Sequence, residues 1–175
     1  MTGVQTCALP ISSTIFGHKK GPYTYDPTKA KALLKEAGFD FNQTIKLWAS
    51  GDVRKKVAEV VQANLGEIGV KTEIEMFEWG AYLQATNSGD QGLFLLGWGS
   101  NPDPDSMLTP LFSKGSIGAQ NRTRYQNPKV EGYLEAGRVE MDQAKRQKIY
   151  NDMSDTVMAD ATWVPMYTGA NIVGA

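Results

Sequence analysis

Apolar and polar residues in the middle of the chain follow two different periods. Two segments, Thr44–Ala49 and Lys71–Phe77, alternate with a period of two, as half-buried strands do. Between them, Val53–Ile68 places apolar residues three and four positions apart, which predicts a helix. Trp79–Asn87 fits a second helix, and the apolar run Gly92–Trp98 is too short for a lone helix and predicts a buried strand. The order strand, helix, strand, helix, strand indicates an α/β unit.

Helix start signals lie on both sides of this unit. Asp26 and Asn127 each precede a proline, a pairing of N-cap and first helical residue that opens a helix. Asp142 predicts the start of another helix near the end of the chain. The part after the sheet is therefore expected to be mainly helical. Thr162–Tyr167 is expected to form a final strand, with Pro165 at an edge or a bulge.

The loop after the last strand of the unit is the candidate site. Ligands of open α/β sheets collect at the carboxyl ends of strands, where loops carry the polar groups. Trp98 offers a flat apolar wall, while Asn101, Asp103 and Asp105 offer acceptors. The carboxylates also have a structural explanation, because aspartate is a preferred N-cap and Ser106–Phe112 predicts a short helix. Capping is favoured for Asp105, whereas both explanations stay open for Trp98 and Asn101.

The first residues look foreign to the rest of the chain. Thr2–Ile11 resembles the translation of a widely used sequencing-adaptor oligonucleotide, and it has neither periodicity nor a cap. Residues 1–12 are therefore interpreted as an extraneous, adaptor-like tail without a place in the fold. Cys7, the single cysteine, lies inside this tail, so the remaining chain has no disulfide, thiolate metal site or cysteine nucleophile. The chain is then expected to be a fragment of a longer gene product.

Composition excludes several classes of protein. The chain has 175 residues, enough for one domain with a core, and Lys+Arg 18 against Asp+Glu 19 gives a net charge of -1. No basic run stands out, so nucleic acid is not an expected partner. No apolar window approaches the roughly 18 residues that a membrane-spanning helix needs.

Motifs for catalysis are scarce. His18 is the single histidine and has no second histidine with which to build a zinc site or a hydrolytic relay. The glycine-rich phosphate motifs and the serine nucleophile motif are absent. Asp103-Pro104-Asp105 matches the Asp-x-Asp pattern that binds a divalent metal and a nucleotide sugar in many glycosyltransferases, and oxygen ligands suit magnesium or manganese. A metal-dependent glycosyltransferase is therefore the alternative hypothesis.

Six blocks of the chain resemble, in order, successive blocks of one known family. They cover nearly all of Ser13 to Ala175 and are YDPTKAKALLKEAGF (Tyr25–Phe39), VAEVVQANLGEIGVKTEI (Val57–Ile74), FEWGAYL (Phe77–Leu83), LGWGSNPDPDSMLTPLFS (Leu96–Ser113), NPKVEGYLEAGR (Asn127–Arg138) and KRQKIYNDMSDTVMADATWVPMY (Lys145–Tyr167). The family is the extracytoplasmic solute-binding proteins of peptide-type ABC importers, the dipeptide- and oligopeptide-binding proteins of bacterial solute-binding protein family 5. Its relatives also take nickel complexes, glutathione and some oligosaccharides.

The resemblance implies the architecture of the chain. The implied fold is α/β, one lobe of a type II periplasmic-binding-protein-like fold, followed by a mainly helical segment and the final strand. Residues 13–168 would form the carboxyl-terminal ligand-binding lobe of a two-lobed protein that closes about a hinge. Residues 169–175 would begin the hinge that crosses back to the missing first lobe.

The resemblance also implies a ligand-binding site. In peptide-binding members, the strand end that matches Trp98 and its neighbours offers backbone groups to the peptide main chain. An aspartate three residues past the tryptophan holds the peptide's amino group, and here that position is Asn101, which keeps an acceptor but loses the charge. Asp103 is the candidate substitute. Arg54 is the nearest candidate for an arginine that neutralises a ligand carboxylate, with a solvated helix residue as the alternative. The ligand-binding candidates are thus Arg54, Gly97, Trp98, Gly99, Asn101 and Asp103.

The expected function is binding without catalysis. The protein would capture a small polar ligand, with a peptide as the favoured class, between two lobes and deliver it to a membrane permease. Its partners would be that ligand and the ABC permease subunits, and it would be a monomer that needs no metal or cofactor. The parent protein is expected to be extracytoplasmic, in the periplasm or lipid-anchored to the outer face of the cytoplasmic membrane. A third hypothesis is that the chain by itself binds nothing, because half of the interlobe cleft would be missing.

Overall fold

A parallel β-sheet forms the centre of the first half of the chain. The computed structural model describes residues 4–5, 24–99 and 103–166. In the order β1-β4-β2-β3, the strands of the sheet are β1 (Val4–Gln5), β2 (Thr44–Ala49), β3 (Lys71–Met76) and β4 (Leu93–Phe94). All the pairings are parallel. Because parallel strands all end at the same edge, the loops after β2, β3 and β4 meet there.

Two helices cover the opposite faces of this sheet, α2 (Asp52–Glu67) and α3 (Trp79–Ser88). Helix α1 (Pro27–Glu36) precedes β2 in the chain. Successive residues of a strand point to opposite faces. Accordingly Leu47 packs with Ala58 of α2, whereas its neighbour Trp48 packs with Tyr82 of α3. The strand and helix order predicted from the middle of the sequence is confirmed.

The short strand β1 lies in the segment that the sequence analysis set aside. The backbone of Val4–Gln5 pairs in parallel with Leu93–Phe94 at the edge of the sheet. Two residues of the adaptor-like tail thus have a place in the fold, which the lack of periodicity in that segment did not predict. The foreign origin of residues 1–12 stays a prediction, and Cys7 and His18 lie outside the described residues.

Strand β4 is shorter than the apolar run that predicted it. The run extends from Gly92 to Trp98, but the strand spans Leu93–Phe94. Beyond it the Leu95 amide still donates to the Trp48 carbonyl at 3.0 Å. The ladder ends there because the neighbouring β2 ends at Ala49 and the chain turns into α2. After this bond, the buried Leu96 continues the segment toward Gly97.

The second half of the chain is helical, as predicted. It comprises α4 (Pro104–Phe112), a 3-10 turn (Lys114–Ser116), α5 (Pro128–Val139) and α6 (Gln143–Ala159). These helices share a core in which Leu111, Val130 and Tyr150 are each 0% exposed. Helices α5 and α6 cross closely at Gly137, where an added Cβ would lie 2.7 Å from Cζ of Tyr150. A glycine is therefore required at this crossing.

Three predicted helix caps are observed and one prediction is wrong. Side chains of Asp26, Asn127 and Asp142 accept backbone amides at the starts of α1, α5 and α6. For α4, however, the N-cap is Asp103 and not the favoured Asp105. The reason is Pro104, which occupies the first helical position just as proline does after Asp26 and Asn127. The same signature was present in the sequence before α4.

The predicted final strand is also not observed. Residues 162–166 form no strand, and Tyr167 lies outside the described residues. Trp163 is instead 3% exposed in the helical core, with its ring centroid 5.0 Å from that of Phe112. The large indole is thus buried against α4, and the backbone of Trp163 takes part in a single β-bridge and not in a strand. Within the described part of the chain, no helix combines the length and apolar character needed to cross a membrane.

Candidate functional site

The chain emerges from the sheet at Gly97 and Gly99, which are both exposed and flank the half-buried Trp98. They follow the buried residues Leu95 and Leu96, at the edge where the parallel strands end. Neither glycine has a side chain to cover its own amide and carbonyl groups. The structure therefore brings backbone hydrogen-bonding groups to the surface where the sequence predicted the site.

Trp98 faces the helical half of the molecule. Its side chain packs against the core formed by α4, α5 and α6. Its indole Nε1 is buried and has no hydrogen-bond partner among the described residues. The packing favours a structural role for most of the ring, since it links the strand end to the helices. The predicted wall for a ligand stays a prediction.

Arg54 lies beside Gly97. The sequence analysis assigned both residues to one site, and a shared site requires them to be close together. Its Nη1 donates to the Ser50 carbonyl at 3.3 Å, which fixes the side chain at the end of β2. Its Nη2 is 3.5 Å from the position that a Cβ on Gly97 would occupy. No acidic side chain forms an ion pair with Arg54 within the described part of the chain. The guanidinium thus lies at the strand ends without an ion-pair partner among these residues.

Trp79 belongs to the same place, and sequence reasoning missed it. The guanidinium carbon of Arg54 lies 5.2 Å from the centroid of the Trp79 ring, a cation–π arrangement that orients the arginine. Trp79 is 44% exposed, whereas tryptophan side chains are highly buried on average. Trp79 lies in the FEWGAYL block that resembles the family, but its exposure and its contact with Arg54 depend on the fold and left no signal in the sequence.

Tyr82 joins the ends of two neighbouring strand segments through its buried hydroxyl. It is 0% exposed, and its hydroxyl lies 2.7 Å from the Leu95 carbonyl and 3.2 Å from the Trp48 carbonyl. Burial raises the pKa of Tyr82 well above its usual range, opposed by the positive charge of Arg54 and the hydrogen bond to Leu95. The phenol is therefore neutral and serves as a hydrogen-bond donor that joins β2 to the segment after β4.

Asp103 has two structural roles within the chain. One carboxylate oxygen accepts the Asp105 amide at 2.8 Å, which caps α4. Both oxygens also pair with Arg146, at 2.9 Å to Nη1 and 3.0 Å to Nη2. The hydrogen bonds from Arg146 lower the pKa of Asp103. Capping and ion pairing account for this carboxylate without a ligand, and its predicted role in ligand binding stays a prediction.

Asp105 is likewise engaged inside the chain. It accepts the Thr109 hydroxyl at 2.7 Å and pairs with Arg138 at 3.5 Å. The described residues contain no group of three or more His, Cys, Asp or Glu side chains arranged to hold a metal ion. The two aspartates of the Asp-x-Asp pattern thus each have an arginine partner. Asn101, the remaining candidate, lies outside the described residues.

The described residues thus form an α/β unit with exposed backbone groups at its strand ends, beside a cation, Arg54, that has no ion-pair partner among them. Comparison with known families makes the assignment specific. The model of the bacterial extracellular solute-binding proteins, family 5 Middle, matches residues 3–119. The chain belongs to this family. This membership confirms the family resemblance found in the sequence. The family consists of binding proteins, as predicted, and the match gives no support to the glycosyltransferase alternative.

Curated relatives agree with this membership. The chain is 36% identical over 160 residues to the dipeptide-binding protein of Escherichia coli (strain K12), covering 86% of this chain and 30% of that protein. It is 32% identical over 166 residues to heme-binding protein A of Haemophilus influenzae, covering 90% of this chain and 30% of that protein. The chain therefore spans about 30% of the length of these two relatives.

A solved structure confirms the fold. The ABC transporter-associated periplasmic binding protein DppA from Helicobacter pylori, in complex with the peptide STSA, superposes with a TM-score of 0.81 at 33% identity. The match covers 90% of this chain and 32% of that protein. The predicted fold class, an α/β unit that forms one lobe of a periplasmic-binding-protein fold, is confirmed.

Proposed function

We propose that this chain is the carboxyl-terminal lobe of the solute-binding component of an ABC importer, and that its solute is a peptide. The observation that carries the proposal is the exposed backbone of Gly97 and Gly99 in a chain of this family. The Arg54 guanidinium lies beside Gly97 and has no ion-pair partner among the described residues. Exposed main-chain groups suit the main chain of an extended peptide, which binds as an added strand does. Peptide-binding and peptide-bound relatives support the same class of ligand.

In this proposal, Arg54 makes the site selective for a ligand that carries an anionic group. Because no acid neutralises it among the described residues, an anionic group of the ligand gains the full interaction. Stacking on Trp79 holds the guanidinium in place, so little conformational freedom is lost when the ligand binds. The expected partner of Arg54 is a carboxylate, either the carboxyl terminus of a peptide or an acidic side chain.

The same proposal implies a compartment and partners for the parent protein. It would act outside the cytoplasm, in the periplasm or lipid-anchored at the outer face of the cytoplasmic membrane, as a monomer. Its partners would be the peptide and the membrane permease subunits, without nucleic acid. Closure of two lobes over the ligand would shift an open population to a closed one that the permease recognises.

Peptide titration followed by NMR tests the proposal on the 175-residue chain. Ala-Ala, at concentrations up to about 20 mM to suit the weak binding of a single lobe, is expected to shift the amide signals of Gly97 and Gly99. Arg54→Gln should weaken binding about tenfold, since a hydrogen bond to a charged group contributes about 1.5–3 kcal/mol. Lys145→Gln removes an exposed positive charge from α6 and should leave the affinity unchanged. Absence of shifts at both glycines would contradict the proposal.

Asn101 gives a second prediction, made from the sequence and intended for the protein that includes the other lobe. If it occupies the amino-anchoring position, Asn101→Asp should strengthen binding of Ala-Ala relative to acetylated Ala-Ala. A charge-assisted bond contributes about 1.5–3 kcal/mol, against about 1 kcal/mol for a neutral one. A neutral trisaccharide should bind more weakly to the variant, because a buried carboxylate without a partner is costly. Calorimetry with the three ligands measures this, and unchanged affinities for all three would remove Asn101 from the site.

A further inference from the structure

Arg146 of α6 holds the residue at which α4 begins. Its Nη1 donates to one carboxylate oxygen of Asp103 at 2.9 Å, and its Nη2 donates to the other at 3.0 Å. Its Nε donates to the Gly137 carbonyl of α5 at 2.8 Å. The guanidinium carbon lies 5.3 Å from the centroid of the buried Tyr150 ring, and the Arg146 side chain is 19% exposed. One side chain thus joins the start of α4 to both α5 and α6.

This contact fixes a geometry more than it stabilises the fold. Two parallel N–H···O bonds set the orientation of a carboxylate relative to a guanidinium, which a contact with a lysine ammonium does not do. The Asp103 side chain is 48% exposed, and ion pairs that water reaches contribute little to stability. A contact with a fixed direction and a small stabilising effect is suited to positioning the segment that it holds.

The backbone of Asp103 leads from this contact toward the candidate site. Asp103 is extended, with φ -75° and ψ 125°, and the proline that follows it restricts it to that region. Three residues, 100–102, separate it from Gly99 in the chain. On the other side of Gly99, Trp98 packs against the core formed by α4, α5 and α6. Gly99 is therefore flanked by two attachments to the same helical part of the molecule.

We propose that Arg146 is a positioning residue for peptide binding: by fixing Asp103 it holds the backbone at Gly99 in the conformation that receives the peptide main chain. The inference rests on the proposed function and deepens it, because it assigns the order of the strand end before binding to a residue of α6 that does not touch the ligand. A segment that is already ordered loses little conformational freedom when the ligand binds. In the sequence-based hypothesis, by contrast, Asp103 itself contacts the peptide amino group.

Two substitutions break the contact from opposite sides. Arg146→Met removes the guanidinium, whereas Asp103→Asn keeps the helix cap and loses the charge. Each should weaken binding of Ala-Ala to the 175-residue chain about threefold to tenfold in an NMR titration, because the strand end must then be ordered by the ligand. The double variant should bind no more weakly than the weaker single variant, since both changes remove the same contact. Should Arg146→Met not fold, Asp103→Asn provides the test.

Matched controls distinguish positioning from a contribution to folding alone. In the unliganded chain, the amide signal of Gly99 should move in Arg146→Met and in Asp103→Asn. Lys148→Met removes another cation of α6, which pairs with Asp152, and should change neither this signal nor the affinity. Tyr125→Phe removes a 2.6 Å hydrogen bond to Asp160, the C-cap of α6. It should lower the Tm and leave the affinity unchanged.

Acetylated Ala-Ala tests whether Asp103 contacts the ligand directly. Acetylation removes the amino charge and keeps the carboxyl terminus. Positioning predicts that Arg146→Met weakens the binding of both peptides by the same factor. If Asp103 contacted the amino group, release from Arg146 would strengthen the binding of Ala-Ala alone, and Asp103→Asn would weaken the binding of Ala-Ala alone.

The outcomes separate this inference from the proposed function. Unchanged affinities in both variants, an effect limited to one peptide, or an equal loss of affinity in Tyr125→Phe would overturn the role of Arg146. The proposed function would stand in each case, since Gly97 and Gly99 would still shift with Ala-Ala in the wild-type chain. Absence of any shift in the wild-type chain with either peptide would overturn both. Equal weakening for the two peptides, together with a moved Gly99 signal, would support the inference.

Discussion

Replacement of Gly137 by alanine is expected to destabilise the chain by about 2–3 kcal/mol, as overpacking of a close contact does. The added Cβ would lie 2.7 Å from Cζ and 2.8 Å from the hydroxyl oxygen of Tyr150. Tyr150 is 0% exposed, so its ring has no free space into which to move. Helices α5 and α6 must then separate, and the core that they share loses contacts. Urea denaturation measured by circular dichroism gives the change in unfolding free energy.

Gly132 provides the matched control for this prediction. It lies in the same helix, and a Cβ there would meet nothing within 4 Å. Gly132→Ala should stabilise the chain by about 0.5–1 kcal/mol, because glycine loses more backbone freedom in a helix than alanine does. Opposite signs for the two substitutions are expected. Equal effects would show that the close crossing at Gly137 does not govern the packing of α5 and α6.

The crossing at Gly137 also matters for the candidate site. The Gly137 carbonyl accepts Nε of Arg146 at 2.8 Å, and the other nitrogens of Arg146 hold Asp103. Asp103 begins α4 at the end of the loop that follows Gly99. A chain of contacts thus leads from the helix crossing to the loop beside the strand ends. Gly137→Ala should therefore also broaden the NMR signals of residues that flank this loop.

The helices and strands were predictable where local rules determine them. The N-cap and proline pairs at Asp26 and Asn127 and the period-two alternation of Thr44–Ala49 mark elements that the structure contains. The length of β4 was not predictable, because it depends on where the neighbouring β2 ends. The final segment was also not predictable, since burial of Trp163 against Phe112 depends on tertiary packing.

The sequence predicted the location of the candidate site better than it predicted which residues form it. An apolar run that ends in a polar loop indicated Gly97 and Gly99, and the structure brings Arg54 to Gly97. Trp79 escaped prediction, because its role depends on its position over the Arg54 guanidinium after folding.

Loss of the Asp103 carboxylate is expected to destabilise the chain by about 0.5–3 kcal/mol. Asp103→Ala removes an N-cap, which contributes about 0.5–2 kcal/mol, and one side of an ion pair with Arg146. The pair adds about 0–1 kcal/mol, since the Asp103 side chain is 48% exposed and water screens it. Asp103→Asn separates the two effects, because asparagine caps a helix as well as aspartate does. Asp103→Asn should lower the unfolding free energy by no more than the contribution of the ion pair.

Acid should abolish the difference between the wild-type chain and Asp103→Asn. Arg146 lowers the pKa of Asp103 in the folded chain below the value of about 3.9 that an unfolded chain has. The folded state therefore binds this proton less readily, so the ion-pair contribution is complete above about pH 5 and is lost as pH falls through the folded pKa. Urea denaturation from pH 7 to pH 2 should show the two unfolding free energies converging at the acidic end. A difference that stays constant over this range would mean that the charge of Asp103 does not contribute to stability.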